Sequence, residues 1–212
     1  MRENAGMNAR LCAALLTVTC AASAQSKRPE DLAIGKILVT TRSAGDPLFA
    51  KSVVLLVRYD QSGALGLMIN HRSALPISRA LKDLDGAASH SDPVFVGGPV
   101  ELDSVFALAR ARHKPEGGDE VIGDIYLLTE KSALQKALGA GSDPSGLRVY
   151  LGYCGWTRGQ LENEARLGLW YIFTGREDLA FDEQPPTLWS RLIEEAEALK
   201  ADLVDRHKPG ER

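Results

Sequence analysis

The stretch LGYCGWTRGQLENE, residues 151–164, is the one around which this chain is organised. It directly follows a β-rich segment, residues 148–151, which predicts a strand. Gly152 and Gly155 are typical of positions that need a positive φ angle or a close backbone approach. The sequence therefore predicts that the strand ends in a turn over residues 152–156, with the tryptophan of that segment packed over the turn.

The second half of the stretch has the pattern of a helix start. Thr157 stands three residues before Gln160, which is the spacing of a capping box. In that motif the threonine hydroxyl accepts a hydrogen bond from a first-turn amide, and the glutamine reaches back to the amide of the cap. Glu162 and Glu164 then lie in the first turns, where the helix dipole favours negative charge. Their spacing does not suit an acid and base pair on one helical face. Gly168 is predicted to end the helix.

These residues also carry a resemblance to a known family. The pattern GYCGWxxGQLExE, followed by Gly168-Leu169-Trp170, resembles the signature of the bacterial YqgE/AlgH family. Three further motifs of that family occur upstream in the same order: DPLFAKSVVLL at residues 46–56, GALGLMIN at residues 63–70 and PVFVGGPV at residues 93–100. The match covers roughly residues 34–193, and four ordered motifs make a chance agreement improbable.

The resemblance implies more about fold than about function. Family members are single compact domains in which a mixed sheet curls into a partial barrel with helices around it. They carry the label of transcriptional regulators linked to alginate production, without an established reaction or ligand. A fold alone does not specify an activity, so the resemblance leaves the biochemical role open.

The length and composition are those of an ordinary globular protein. The 212 residues suit one domain, with 44% hydrophobic and 25% charged residues. We predict a signal peptide at residues 1–24, a flexible linker at 25–33, a single YqgE/AlgH-like domain at 34–205 and a tail at 206–212.

The first 24 residues have the pattern of an export signal. Arg2 and Arg10 precede an apolar run over residues 11–22, and Ala22-Ser23-Ala24 supplies the small residues of a cleavage site before Gln25. The run is too short to remain as a membrane span. The sequence thus predicts an exported, periplasmic protein without a transmembrane span after cleavage; if the segment is not a working signal, the protein is cytoplasmic.

The charge balance makes nucleic acid an unexpected partner. The formal net charge is −3, and removal of the signal makes the chain slightly more acidic. Sequence-independent binding to phosphate needs a basic excess, which this composition lacks. Export would also separate a regulator from the chromosome.

Hydrophobic patterning predicts an α+β fold. Strands are predicted at residues 36–41, 52–59, 64–70, 93–96, 105–110, 122–128, 148–151 and 169–174. Helices are predicted at residues 76–84, 130–138 and 187–205, besides the one that follows Thr157. Because hairpin-forming strands mix with helices that do not alternate regularly, the pattern favours a mixed, largely antiparallel sheet flanked by helices over a doubly wound one.

Cys154 is the only cysteine that remains after signal cleavage, since Cys12 and Cys20 leave with the signal. The mature chain therefore has no internal disulfide. A cysteine beside a turn and a helix start can be activated as a thiolate, but a nucleophile also needs a base. His71, His90 and His113 are the candidates, and all three fall in predicted loops. A small buried residue is the preferred interpretation of Cys154.

No other residues form a recognisable reaction centre. Gly97-Gly98-Pro99 follows an apolar strand and could offer amides to an anion, but it lacks the lysine and the hydroxyl of a P-loop, so a tight turn is preferred. The histidines, including His207, are isolated, without metal-ligand spacing. We predict neither a metal nor a cofactor.

We therefore predict a non-enzymatic, exported binding or interaction protein whose partner is a small molecule or a protein. Two alternatives stay open: a transcriptional regulator, as the family label states, and an enzyme that uses Cys154. The predicted ligand or partner surface consists of residues on three loops: Asn70, Gly97, Gly98, Pro99, Gly155 and Trp156.

Overall fold

A single curled sheet of eleven strands organises the computed structural model, which describes residues 25–26, 31–139 and 146–206. The strands are β1 (Gln25–Ser26), β2 (Ile37–Thr40), β3 (Val53–Asp60), β4 (Gly63–Met68), β5 (Arg72–Pro76), β6 (Pro93–Val96), β7 (Val100–Arg110), β8 (Gly118–Ile122), β9 (Ile125–Leu128), β10 (Leu147–Thr157) and β11 (Trp170–Phe173). The helices are α1 (Ile77–Ala80), α2 (Lys131–Gly139), α3 (Gln160–Arg166), α4 (Glu177–Ala180) and α5 (Pro185–Arg206).

The strand order is β1-β11-β2-β3-β4-β10-β7-β9-β8, with β6 against β10 and β5 against β6. All pairs are antiparallel except that of β6 with β10. The sheet curls into a half-barrel flanked by helices, so the predicted α+β class with a largely antiparallel sheet is confirmed.

Strand β10 joins the two halves of the sheet. Its first half pairs with β7, and its second half pairs with β4 from Cys154 opposite Gly66 to Thr157 opposite Gly63. The predicted turn over residues 152–156 is therefore wrong, because the strand continues through it. Gly152, with a φ angle of 70°, instead sits at a shift of register, which is the effect of a β-bulge.

Three buried clusters result from this curling. The largest lines the inside of the half-barrel and includes Tyr150 and Phe173 of the sheet together with Leu188 and Leu192 of α5. The second lies on the outer face under α3 and contains Cys154. The third lies on the outer face of β7, β9 and β10, under α1 and α2. Because β10 supplies residues to all three clusters, it is the shared wall of the core.

Several elements differ in extent from the prediction. The predicted helix 76–84 is helical only over α1. All but the last residue of β8 lies between the predicted strands 105–110 and 122–128, where no strand was expected. Strand β5 was not predicted. Gln25 and Ser26 pair with β11 and thus belong to the sheet, although they were placed in the flexible linker.

Some predictions fall outside the described residues. These are the signal at 1–24 with Cys12 and Cys20, most of the loop at 139–146, His207 and most of the tail. Within the part of the chain that the structure covers, no helix combines the length and the apolar character that crossing a membrane requires.

Candidate functional site

Helix α3 begins at Gln160, two residues later than a cap at Thr157 would imply. Gly159 precedes it with a φ angle of 77°, and Thr157 is the last residue of β10. Gln160 Oε1 accepts hydrogen bonds from the amide and the hydroxyl of Thr157, both at 3.2 Å. The reach-back half of the box is thus present. The other half of the box is absent, because the Thr157 hydroxyl donates to Gln160 and accepts no hydrogen bond from a first-turn amide. Gly168, with a φ angle of 73°, ends the helix as predicted.

Glu164 accepts hydrogen bonds from two buried indoles. Its Oε2 accepts from Nε1 of Trp156 and of Trp170, both at 2.9 Å, and its Oε1 accepts from Gln160 Nε2 at 3.0 Å. The ring of Phe49 completes this cluster at centroid distances of 6.0 and 5.7 Å from the two indoles. The carboxylate therefore fixes α3 to the sheet, a role that the helix dipole alone did not predict.

Glu162 has an aromatic partner of its own. Its Oε1 accepts from the Tyr59 hydroxyl at 2.7 Å. Burial, followed by this bond to a carboxylate, raises the pKa of Tyr59 to about 12. Both acidic residues of the signature thus join the helix to aromatic residues of the sheet.

Asn70 is committed to the backbone of the loop before β3. Its Oδ1 accepts from the Val53 amide at 2.8 Å, and its Nδ2 donates to the Lys51 carbonyl at 2.9 Å. Lys51 has a φ angle of 54°, which is unusual for a residue with a side chain. Only 6% of Asn70 is exposed. The asparagine therefore holds this loop in place, and the structure does not present it to a ligand.

Gly97 and Gly98 lie against the backbone of β10. A Cβ atom on Gly97 would lie 2.2 Å from the Gly152 carbonyl oxygen, and one on Gly98 would lie 2.1 Å from the carbonyl carbon of Tyr153. The Gly97 amide donates to the Leu151 carbonyl at 2.8 Å. These glycines permit a close backbone crossing, and the amide of Gly97 is not free for an anion.

Cys154 is fully buried, with 0% of its surface exposed. It packs in the cluster under α3, and its Sγ lies 3.5 Å from the Gly97 carbonyl oxygen. Burial raises the pKa of the thiol far above its ordinary value. The sulfur is thus protonated at neutral pH and closed to a substrate, which supports the structural interpretation of this residue.

The three histidines that were considered as a base for Cys154 lie in three different environments. His71 Nε2 lies 3.3 Å from Ser52 Oγ, and burial lowers the pKa of the His71 ring. His90 Nε2 donates to the Leu138 carbonyl at 2.9 Å. His113 is exposed. Among the described residues, no group of three or more histidine, cysteine, aspartate or glutamate side chains could hold a metal ion.

Gly155 and Trp156 line an open groove of about 400 Å³ between the β3–β4 hairpin, the start of β7 and the end of β10. Its other lining residues are Arg58, Ser62, Gly63, Ala64, Leu65, Val100, Tyr153 and Thr157. The structure thus places two of the six predicted surface residues together. Asn70, Gly97 and Gly98 are buried and do not line the groove, although Gly98 lies against the backbone of Tyr153. Pro99 does not line it either and directly precedes the lining residue Val100.

The shape of this groove depends on the missing side chain of Gly155. A Cβ atom there would lie 3.1 Å from Tyr153 Cε2 and 3.9 Å from Val100 Cγ2. Arg58 stands opposite Leu65 in the hairpin and is exposed. Within the described part of the chain, its guanidinium has neither an ion pair nor a hydrogen bond. Sequence reasoning missed Arg58, although its position beside the GALGLMIN motif was a possible signal.

Comparison with known proteins agrees with this architecture. The AlgH-like family matches residues 37–199, which is most of the chain. The chain belongs to the AlgH-like family. A UPF0301 protein of Vibrio cholerae is 35% identical over 174 residues, covering 78% of this chain and 92% of the relative. A UPF0301 protein of Chlorobium phaeobacteroides is 30% identical over 165 residues, covering 77% and 87%.

Two solved structures share the fold of this AlgH-like protein. The solution structure of AlgH from Pseudomonas aeruginosa has a TM-score of 0.61 at 27% identity, covering 84% of this chain and 95% of AlgH. The crystal structure of DIP2367 from Corynebacterium diphtheriae has a TM-score of 0.61 at 20% identity, covering 76% and 86%. The predicted family and fold are thereby confirmed, and none of these names specifies a reaction.

Proposed function

We propose that this AlgH-like protein is a non-enzymatic binding protein that acts outside the cytoplasm, with the groove at Gly155 as its ligand site. One observation carries the proposal: the exposed guanidinium of Arg58, which has a charge interaction with Asp60 but no ion pair or hydrogen bond among the described residues, borders a groove lined by Tyr153, Leu65 and Val100. An apolar concavity with one oriented polar group is the usual form of a small-molecule site.

The ligand class follows from this lining. A guanidinium binds carboxylates in a planar, bidentate manner, and the tyrosine ring offers a flat surface for another ring. We therefore expect a small organic anion with an aromatic body. The groove is open to solvent, so the interaction of Arg58 with a carboxylate is worth only about 1 kcal/mol.

The binding test uses 2-naphthoate as the probe and follows backbone amide resonances. We expect saturable shifts at Gly63, Leu65, Gly155 and Thr157. Gly155→Ala fills the floor under the Tyr153 ring and should abolish the shifts, while Gly45→Ala, at a position with no atom within 4 Å of the added Cβ, should retain them. Arg58→Gln should weaken binding about fivefold, and Arg112→Gln should not.

The outcome can contradict the proposal in two ways. If 2-naphthoate causes no saturable shift at the groove, the groove does not bind aromatic anions. If the methyl ester of 2-naphthoate binds Arg58→Gln and the unchanged protein with the same affinity as the acid, the guanidinium has no role in recognition. A salt-dependent gel shift of DNA at low ionic strength would instead favour the regulator alternative.

Export is the second part of the proposal. We propose that residues 1–24 are removed, that residues 25–33 connect to the fold, that residues 34–205 form one domain and that residues 206–212 are a tail. The pattern of charged, apolar and small residues before Gln25 supports this proposal. Cell fractionation with mass spectrometry of the purified chain should give a periplasmic protein that begins at Gln25. An intact chain in the cytoplasm would remove this part of the proposal.

A further inference from the structure

A second cavity lies between α1 and α2. It measures about 460 Å³ and is formed by the end of α1 with the turn that follows it, by β7, by the end of β9 and by the start of α2. None of its lining residues belongs to the groove at Gly155 or to the family signature. The size falls within the range typical of small-molecule sites.

The floor of this cavity is aliphatic. Leu81, Leu84 and Val105 are half-buried and pack against the cluster under α1 and α2, and Leu134 of that cluster is buried. Ala80, the last residue of α1, contributes the smallest side chain of the wall. The floor therefore offers apolar contact to a branched aliphatic group.

The rim carries two charges of each sign. Lys82 and Asp83 lie on the turn after α1, Asp103 on β7 and Lys131 at the start of α2, and all four side chains are exposed. Across the residues with described side chains, none of the four takes part in an ion pair or a side-chain hydrogen bond. Four charges therefore surround an aliphatic floor without neutralising one another by direct contact.

We propose that this cavity binds a free α-amino acid with an aliphatic side chain. The ligand carboxylate would face Lys82 and Lys131, and its ammonium group would face Asp83 and Asp103, while the side chain lies on the leucines. A ligand with a single charge would meet one pair of like charges at the rim, whereas a zwitterion is complementary to both pairs. The inference is independent of the groove at Gly155.

The test is calorimetric titration of the full-length protein with L-leucine, accompanied by amide shift mapping. We expect saturable shifts in residues 80–84, 103–105 and 129–134. Two analogues separate the charges: 4-methylpentanoate lacks the ammonium group, and 3-methylbutylamine lacks the carboxylate. Each should bind about tenfold more weakly than leucine, because each loses attraction to one pair and meets repulsion from the other.

Matched variants assign the effect to this cavity. Ala80→Leu places a longer side chain in the cavity and should abolish leucine binding, while Ala74→Leu on β5 should leave it unchanged. Asp83→Asn with Asp103→Asn should weaken leucine about tenfold and restore the relative binding of 4-methylpentanoate. The exposed Asp119→Asn serves as the control.

Three results would overturn the proposal: no saturable shift with leucine, equal affinity for leucine and 4-methylpentanoate, or leucine binding that survives Ala80→Leu. Thermal unfolding of each variant shows whether it retains the fold. Gly155→Ala, which should remove 2-naphthoate binding, should not affect leucine, so the two proposals fail independently.

Discussion

At the scale of single residues, Glu164 has the largest structural role in the signature. Its carboxylate satisfies the indole N–H groups of Trp156 and Trp170, which are 5% and 2% exposed. Glu164→Ala leaves both buried donors unpaired, and each costs about 1–3 kcal/mol. We expect the free energy of unfolding to fall by about 3 kcal/mol, measured by urea denaturation.

The conservative variant separates hydrogen bonding from packing. Glu164→Gln keeps one oxygen that can accept from both indoles, so its loss should be about 1 kcal/mol. Glu194→Ala, on an exposed position of α5, is the control and should change stability by less than about 0.5 kcal/mol. Equal losses for the alanine variants at 164 and 194 would show that the indole bonds contribute nothing.

Gly98 gives a second prediction at this scale. A Cβ atom there would overlap the Tyr153 backbone, so Gly98→Ala requires β10 or the loop before β7 to move. We expect a loss of more than about 3 kcal/mol or an insoluble protein. Gly45→Ala has open space around the added atom and should be close to neutral. A stable Gly98→Ala variant with unchanged amide spectra would contradict the close crossing.

Residue roles were predictable where they depend on the local backbone. The positive φ angles of Gly152 and Gly168 follow from glycine in a strand and after a helix. The partners of Glu164 were not predictable, because Trp170 approaches Glu164 only through the tertiary contact between β11 and α3. The role of Asn70 was not predictable either, because its hydrogen bonds to Lys51 and Val53 join segments that are distant in sequence.

At the scale of elements, the junction of β10 with α3 reverses the expected roles of Thr157 and Gln160. The glutamine side chain accepts two hydrogen bonds from Thr157 and donates one to Glu164, whereas Thr157 caps no helix amide. Gln160→Ala should therefore cost about 1 kcal/mol, and Thr157→Ala only a few tenths. Chemical denaturation measures both. A larger loss for Thr157→Ala would support the threonine cap that the sequence pattern predicted.

The elements that sequence reasoning found are those with strong apolar patterns. Strand β3 and the helix α5 are rich in aliphatic or aromatic residues, and their positions were predicted closely, whereas only the first half of β10 was predicted. Strand β8 is an edge strand with exposed acidic residues, so its composition resembles a loop. The turn predicted inside β10 failed because its two glycines serve a bulge and a groove within a continuous strand.

At the scale of the whole molecule, the non-alternating order of strands and helices was enough to predict the α+β class, and the family resemblance supplied the curl of the sheet. The site was predictable only in part. Gly155 and Trp156 line the groove, but Arg58 and Leu65 reach it through the register of β3 and β4 with β10. The spacing of motifs along the sequence does not show which strands pair or in which register.

Tyr150 connects the core to the pH dependence of stability. Its side chain is fully buried, and its hydroxyl has no hydrogen bond of ordinary geometry among the described residues, although the Arg148 guanidinium is close enough to interact with it. Burial raises the pKa of Tyr150 from 10.0 to about 12, against the opposing effect of the Arg148 charge. Below pH 10 the hydroxyl is protonated in both the folded and the unfolded state. Between pH 10 and 12 the unfolded state releases the proton more readily, so stability falls by about 1.4 kcal/mol per pH unit.

Tyr150→Phe tests this dependence. We expect the free energy of unfolding, measured by urea denaturation from pH 8 to pH 12, to decline less steeply for the phenylalanine variant, because this variant lacks the hydroxyl that titrates. At pH 8 the variant should be neutral or more stable by about 1 kcal/mol, because an unsatisfied polar group has been removed. Parallel pH profiles for the two proteins, or a clear loss at pH 8, would mean that the hydroxyl has a partner.

The position of β10 in the chain has a consequence for biosynthesis. Its partners β4, β6 and β7 all leave the ribosome before it does, and the halves of the sheet cannot join until Thr157 has been translated. Contacts between such distant segments also make folding slow. A nascent polypeptide of this sequence therefore cannot close its sheet until about three quarters of the chain has been synthesised.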